Sequence, residues 1–471
     1  MKSIINEDYL LNSMQAKVLY NKYAKNLPII DYHCHLNPKD IYEDRVYEDI
    51  CRLSLVDGNY GDHYKWRLMR AYGVSEEYIS GHKDDYSKYK EWIKVLNKAI
   101  LNPVYDFSYM EFYKYFDIKE VIDEKNFNQI YERINLSLKK LSVRSLIEMS
   151  NVEVICTTDD PIDDLRYHIL LKKENNFKTR VLPSFRPDRI LNIEDKGFWD
   201  YIKELEKVSN KRISSFEELV IVIKERIEYF KEVGCFISDH AMDYYSFEEC
   251  SLNEVRDIFN KKINDKELDK KEIYKYKTYL LVYLASLYKD NNIVMQLHIG
   301  ALRNVNEKYY RSIGKDVGND AINDFSFSYS LSKLLNKMES NSTLPKVIVY
   351  SLNPNMYDIV STVINCFNKD CVGKMQVGSA WWFNDHIDGI ERQLTAVSNT
   401  GMIANFIGML TDSRSFLSFV RHDYFRRILC NYFGEKMLSG RLISDIEYVG
   451  KIVSDISYYN ALNYLGINNE S

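Results

Sequence analysis

Eight short apolar runs recur along this chain, each ending in polar residues, and longer segments with helical patterning separate most of them. The runs are Ile29–His35, Val152–Thr158, Thr179–Phe185, Gly234–Ser238, Asn292–His298, Lys346–Ser351, Lys374–Ser379 and Phe406–Leu410. Most are rich in Val, Ile and Phe, and all are of strand length. Between them, segments such as Phe216–Val233 and Glu272–Tyr288 repeat apolar residues at helical spacing. Strands that alternate with helices pair in parallel through right-handed crossovers. Eight such units predict an α/β chain closed into a (β/α)8 TIM-like barrel. A doubly wound open sheet is the alternative, and it would gather only some of the strand ends in one crevice.

The spacing is uneven. Residues 37–150, dense in Tyr, Lys, Asp and Glu, separate the first run from the second, with turns expected near Asp57–Gly61 and Asn102-Pro103. This stretch reads as a large, mainly helical insertion after the first strand, with 1–36 and 151–471 forming the barrel. A chain of 471 residues exceeds the usual single domain, so two domains, or one barrel with a large insertion, is the prior. The net charge of −5 argues against a general nucleic-acid or anionic-membrane binder, but local Arg residues can still receive an anionic small molecule. The longest apolar stretch, Tyr279–Tyr288, lies between Lys277 and Lys289 and is too short to span a bilayer. Met1–Glu7 is polar and lacks a signal-peptide pattern. Eight Cys without CxxC spacing fit a reducing compartment, so a cytoplasmic location is expected.

In such a barrel the site lies at the C-terminal ends of the strands. The first run ends Asp31-Tyr32-His33-Cys34-His35; on an extended strand His33 and His35 point to the same side. Two imidazoles there make half a metal site, although one could pack in the core while the other caps a turn. Asp412, after the last run, would complete a three-ligand centre with open positions. It could instead cap the following helix, or act as a base. Arg186 and Arg414 are planar, permanent cations suited to a carboxylate or an enediolate, with structural ion pairs as the alternative. Asp239 with His240, and His298, are candidate acid/base groups, although an isolated His at a strand end is more often structural. Asp159-Asp160-Pro161 reads mainly as a turn. Trp381-Trp382 could wall a sugar face or simply pack. The convergence of these groups on one rim carries more weight than any one of them.

The ordered set of motifs resembles the uronate (glucuronate) isomerases of the amidohydrolase superfamily. The matching segments are Asp31-Tyr32-His33-Cys34-His35, Gly61-Asp62-His63-Tyr64-Lys65-Trp66-Arg67, Thr157-Thr158-Asp159-Asp160-Pro161 and Leu182-Pro183-Ser184-Phe185-Arg186-Pro187-Asp188. Ser238-Asp239-His240-Ala241, His298-Ile299-Gly300-Ala301-Leu302-Arg303, Trp381-Trp382-Phe383-Asn384-Asp385 and Leu410-Thr411-Asp412-Ser413-Arg414-Ser415 follow in family order. Phe185 stands where close relatives are expected to carry Trp.

The resemblance implies interconversion of D-glucuronate and D-fructuronate, and of D-galacturonate and D-tagaturonate, by proton transfer between C2 and C1 through a cis-enediol. It implies one divalent metal ion, zinc by preference, on His33, His35 and Asp412. Dinuclear relatives carry a Lys at strand four, and this chain has none there. It further implies Tyr64 as acid/base or donor, with Asp412 as the competing proton shuttle. Arg186 and Arg414 would hold the carboxylate and enediolate charge. Asp239, His298 and Ser351 would orient the sugar hydroxyls. If Tyr64 reaches the rim, the insertion covers the barrel mouth. The expected partner is a small uronate, with self-association through outer helices left open. A mononuclear metal-dependent hydrolase of the same superfamily is the alternative activity, and a non-catalytic sugar-acid-binding protein is a second.

Overall fold

Seven of the eight runs become strands of one sheet in the computed structural model, which describes residues 5–467 except Asn59 and so leaves the polar start at Met1–Ile4 outside. They are β1 (Ile29–Asp31), β2 (Val152–Asp159), β3 (Arg180–Phe185), β4 (Ile237–Met242), β5 (Val294–Ile299), β6 (Val347–Ser351) and β7 (Met375–Val377). Each pairs in parallel with the next, in simple chain order. The sheet curls, because one face of it packs against itself: Ile30, Val154, Cys156, Ile237, Val294, Ile348 and Tyr350 form a single apolar cluster with Tyr464 and Leu465. The opposite face packs on the crossover helices, with Phe185, Met295, Leu297, Val347 and Val349 joining Phe230, Leu284 and Leu335.

The two-residue period of a strand connects this core to the site. On β4 the inward face runs from Ile237 to Asp239; on β5 it runs from Val294 through Gln296 to His298. Apolar side chains therefore fill the lower layers, and polar ones emerge at the C-terminal ends.

Three departures from the expected strands have local causes. The fourth begins at Ile237 rather than Gly234, because Gly234 caps the helix Phe216–Val233, whose first turn is held by the Ser215 side chain. The first strand stops at Asp31, although the Cys34 N–H still reaches the Cys156 carbonyl at 2.9 Å. Phe406–Leu410 makes no ladder pairs. Gly408, at φ +78°, bends that run, and a Cβ there would meet the Ile456 carbonyl at 2.2 Å.

Residues 37–150 hold the helices Pro38–Tyr42, Ile50–Ser54, His63–Ala71, Asp85–Leu96, Pro103–Phe116, Phe127–Leu138 and Val143–Met149. A two-residue antiparallel pair, Val56–Asp57 with Tyr60–Gly61, interrupts them. Their apolar faces, including Trp92, Phe107, Phe112 and Ile134, share one core with Leu19, Phe425 and Leu429 of the helices Met14–Leu19 and Val420–Leu438. Among the described residues no helix is long and apolar enough to cross a membrane.

Candidate active site

The first and last segments of the sheet region meet at His33, His35 and Asp412. His33 Nε2 lies 3.2 Å, and His35 Nε2 3.0 Å, from the same oxygen, Asp412 Oδ1. The other oxygen of Asp412 accepts the Trp381 indole N–H at 2.6 Å. Backbone bonds lock the approach: the Asp412 N–H donates to the His33 carbonyl (3.1 Å), and the His35 N–H to the Ser413 carbonyl (2.9 Å). Asp31, at the end of β1, accepts both the N–H (2.7 Å) and the hydroxyl (2.6 Å) of Thr411. These contacts hold Asp412 at φ +47°, a left-handed conformation that costs a non-glycine residue about 1–3 kcal/mol.

Burial alone would raise the Asp412 carboxyl, but hydrogen bonds and charge from His33 and His35 hold it well below the ordinary range. Burial disfavours a charged His33, yet Asp239 and Asp412 outweigh it and raise its pKa; on His35 burial dominates and lowers it. Two ligand atoms bound to one zinc at about 2.1 Å with near-tetrahedral angles lie about 3.4 Å apart. The spacing of these imidazole nitrogens around one carboxylate oxygen fits that requirement. A second grouping, His33 with Asp239 and His298, is also close enough to share an ion. There, however, Asp239 already faces Arg186 and His298, so a cation would meet a guanidinium.

That neighbouring set forms a chain. His298 Nδ1 lies 2.7 Å from Asp239 Oδ1, and Arg186 Nη1 lies 3.1 Å from Asp239 Oδ2. Arg186 Nε donates to Asp188 at 2.7 Å, and Asp188 accepts the Ala241 N–H at 3.1 Å. Burial opposes a charged Asp239, but Arg186, His298 and His33 together hold its pKa well below normal. On His298 burial wins over Asp239 and lowers the imidazole, leaving it neutral. With Nδ1–H directed at the carboxylate, His298 Nε2 carries a lone pair; it is buried and has no partner among the described residues. The ring stacks on Tyr350 at 4.2 Å and lies 4.7 Å from that of His33. His240, adjacent to Asp239 in sequence, faces away and contacts the Gln296 carbonyl and the Tyr288 hydroxyl.

Tyr64 arrives from residues 37–150 on a helix start that the sequence dictates. The Asp62 carboxylate accepts the N–H groups of Tyr64 and Lys65, opening His63–Ala71. Gly61 is required because any Cβ would run into the Trp66 ring at 2.0 Å. Lys65 is drawn inward to the Ser54 carbonyl at 2.7 Å. Among the described residues the Tyr64 hydroxyl has no hydrogen-bond partner. Burial raises its pKa far above normal; Arg421 opposes this and Asp412 adds to it, so the group stays a neutral phenol. Arg414 is more open and lies 3.5 Å from Asp316. Neighbouring His63 is lowered to about 4 by burial and by Arg414. Ser351, buried at the end of β6, donates to the Asn353 carbonyl at 3.0 Å. Trp381 contributes an N–H to Asp412 and an edge to His298, in addition to apolar surface.

Several groups now at the rim were not singled out as site residues by the sequence. Asp31 and Asp188 sit in matched motifs but were assigned no role. Asp188 follows Arg186 by two positions, a spacing that could have flagged it as the guanidinium's partner. Asp385 closes the matched Trp381–Asp385 motif but was assigned no role, and Arg421 carried no signal beyond its residue type.

A parallel α/β sheet that presents two imidazoles and a carboxylate at its strand ends, beside an Asp–His–Arg chain, defines a candidate metal-dependent enzyme. The glucuronate isomerase family profile matches residues 1–465, and the chain belongs to that family. It is 48% identical to a uronate isomerase of Caldanaerobacter subterraneus over 99% of this chain and all of that one. It is 47% identical to one from Caldicellulosiruptor bescii with the same coverage. A crystal structure of a uronate isomerase from Thermotoga maritima superposes with a TM-score of 0.92 at 33% identity, covering 98% of this chain and 99% of that one.

Proposed function

We propose that this protein is a uronate isomerase interconverting D-glucuronate with D-fructuronate, and D-galacturonate with D-tagaturonate, in the cytoplasm. The observation that carries the reading is the arrest of both imidazoles, His33 and His35, on a single oxygen of Asp412. Family membership supports the reaction class. Phe406–Leu410 is taken as the irregular eighth stave of a (β/α)8 barrel formed by residues 1–36 and 151–471. Residues 37–150 are taken as the insertion that covers its mouth.

His33, His35 and Asp412 would hold one divalent ion. Zinc is proposed, since imidazole and carboxylate donors suit it, as they also suit Mn, Fe and Co. Such an ion supplies Lewis-acid polarisation of substrate oxygens. Arg414, the more open fork, receives the uronate carboxylate, and Arg186 balances enediolate charge from beside Asp239. Both oxygens of Asp412 are engaged and its carboxyl is held strongly acidic, which makes it a poor proton acceptor. His298 Nε2 is neutral and unpartnered, so it is assigned removal of the C2 proton and its return at C1. Asp239 fixes the tautomer this requires. The Tyr64 hydroxyl, kept protonated, donates to the developing enediolate oxygen. Asp239 and Ser351 orient sugar hydroxyls, and Trp381 braces Asp412 while lining the site.

A proton NMR time course in D₂O, with metal-quantified protein and each uronate in turn, tests this. Ketose signals with deuterium entering at C1 are expected. No change with either substrate, in folded and metal-loaded protein, would overturn the isomerase reading. Release of two fragments from a larger substrate would favour a hydrolase.

A further inference from the structure

One buried cation touches both halves of the proposed machinery. Arg421 is the second residue of the helix Val420–Leu438, and its Nη1 donates to the Thr411 carbonyl at 3.0 Å, one residue before Asp412. The same nitrogen lies 3.5 Å from Asp385 Oδ2. The guanidinium also lies over the ring of Tyr64 (5.3 Å to the centroid) and over that of Phe107 (4.8 Å). Five elements therefore meet on one planar group: the helix Val420–Leu438, the segment carrying Thr411, the turn after β7, and two helices of residues 37–150.

A buried charge costs stability unless it is paired, and Asp385, itself 3% exposed, is the only carboxylate in ion-pair contact with Arg421 among the described residues. Thr411 is the pivot. Its N–H and hydroxyl are fixed by Asp31, and its carbonyl by Arg421. The left-handed backbone at Asp412 immediately follows this three-point hold, and such a conformation persists only where its surroundings over-determine it. The face of Arg421 that is not used for these bonds supports the Tyr64 ring, whose own hydroxyl makes no bond that would fix it. A flexible ammonium could supply the charge but neither the plane nor the reach in two directions.

We propose that Arg421, oriented by Asp385, is a positioning residue that sets the Tyr64 ring against the backbone carrying Asp412. The inference rests on the reading of Tyr64 as a donor to the enediolate. The test is a double-mutant cycle of kcat and KM for D-glucuronate on Y64F, R421M and the pair, with R421K, D385N and bound metal measured alongside. R421M and D385N are expected to lower kcat by about tenfold to a hundredfold, as small misplacements of reacting groups do, with KM within about twofold and metal content unchanged. R421K should recover part of that loss. Adding Y64F to R421M should cost far less than Y64F alone. If R421M does not fold, D385N replaces it in the cycle.

Additive losses, a change confined to KM, or loss of the metal would overturn the positioning role while leaving the Tyr64 reading intact. A Y64F enzyme with normal kcat would overturn the Tyr64 reading, and this inference with it.

Discussion

Two buried carboxylates at strand ends, Asp239 on β4 and Asp159 on β2, have the same chemistry and opposite fates. Asp239 faces Arg186 and His298 and is held well below the ordinary range despite its burial. Among the described residues Asp159 meets no guanidinium. It accepts the Thr157 hydroxyl at 2.8 Å and the Ser184 N–H at 3.3 Å, and burial outweighs both and pushes it up to about 7. The nearby imidazoles differ less: burial lowers His168 to about 4 and lowers His298 as well. Strand-end position therefore does not make a charged site. The cations brought to it from neighbouring strands do, and Arg186, on β3's C-terminal flank, pairs with Asp239 and Asp188 but not with Asp159.

The hardest way to break the charged side is to neutralise Asp412, the acceptor for both imidazoles. Asp412→Asn should lose bound metal and lower kcat by at least about a hundredfold, read by elemental analysis and steady-state kinetics. Wild-type metal content in that variant would remove Asp412 from the ligand set. Next in size, Asp239→Asn leaves Arg186, 26% exposed, with Asp188 as its remaining carboxylate, and should cost about 1.5–3 kcal/mol of unfolding free energy in a denaturant titration. A loss below about 1 kcal/mol would show that the Arg186–Asp239 pair is not what offsets the burial.

Asp159→Asn sharpens the contrast through its pH dependence. The folded state raises the Asp159 pKa from 3.8 to about 7, so between those values it binds a proton that the unfolded chain has released. Its contribution to stability is complete below about pH 4 and fades as pH rises through about 7, at up to roughly 1.4 kcal/mol per pH unit. His168 acts in the opposite sense. Its folded pKa is lowered from 6.5 to about 4, so its contribution is full above 6.5 and is lost as pH falls through about 4. The two slopes oppose each other between about pH 4 and 6.5, and only that of Asp159 remains from there to about pH 7. Subtracting the stability curve of Asp159→Asn from that of wild type should give a difference that falls from pH 4 to 7. A flat difference would mean that Asp159 is ionised throughout and that the contrast with Asp239 does not exist.

What the sequence made readable follows from range. The apolar runs, the helix Phe216–Val233 and the same-side placement of His33 and His35 depend on neighbours a few residues apart, where periodicity and capping act. The bond between Asp31 and Thr411 joins residues 380 positions apart, and no local pattern announces it. Trp381 shows the same limit. Its indole N–H is a brace for Asp412, visible only once β7 and the last segment are side by side. Phe406–Leu410 carried its own warning, because a glycine at the centre of a five-residue apolar run weakens a strand. The raised pKa of Asp159 was legible in neither its motif nor its position, since it depends on burial without a cation beside it.

Ser351 offers the mildest test, because it belongs to neither side of the comparison. Its hydroxyl proton is directed at the Asn353 carbonyl, yet its oxygen can still accept from a sugar hydroxyl. If it does, Ser351→Ala should raise KM for both uronates by about threefold with kcat unchanged, the size of one neutral hydrogen bond worth ~0.5–1 kcal/mol. The local bond to Asn353 is lost as well, so a small drop in stability accompanies either outcome and cannot serve as the readout. The KM shift can. Its absence would confine Ser351 to shaping the turn after β6, and sugar orientation would then fall to Asp239, whose charge the Arg186 pair already maintains.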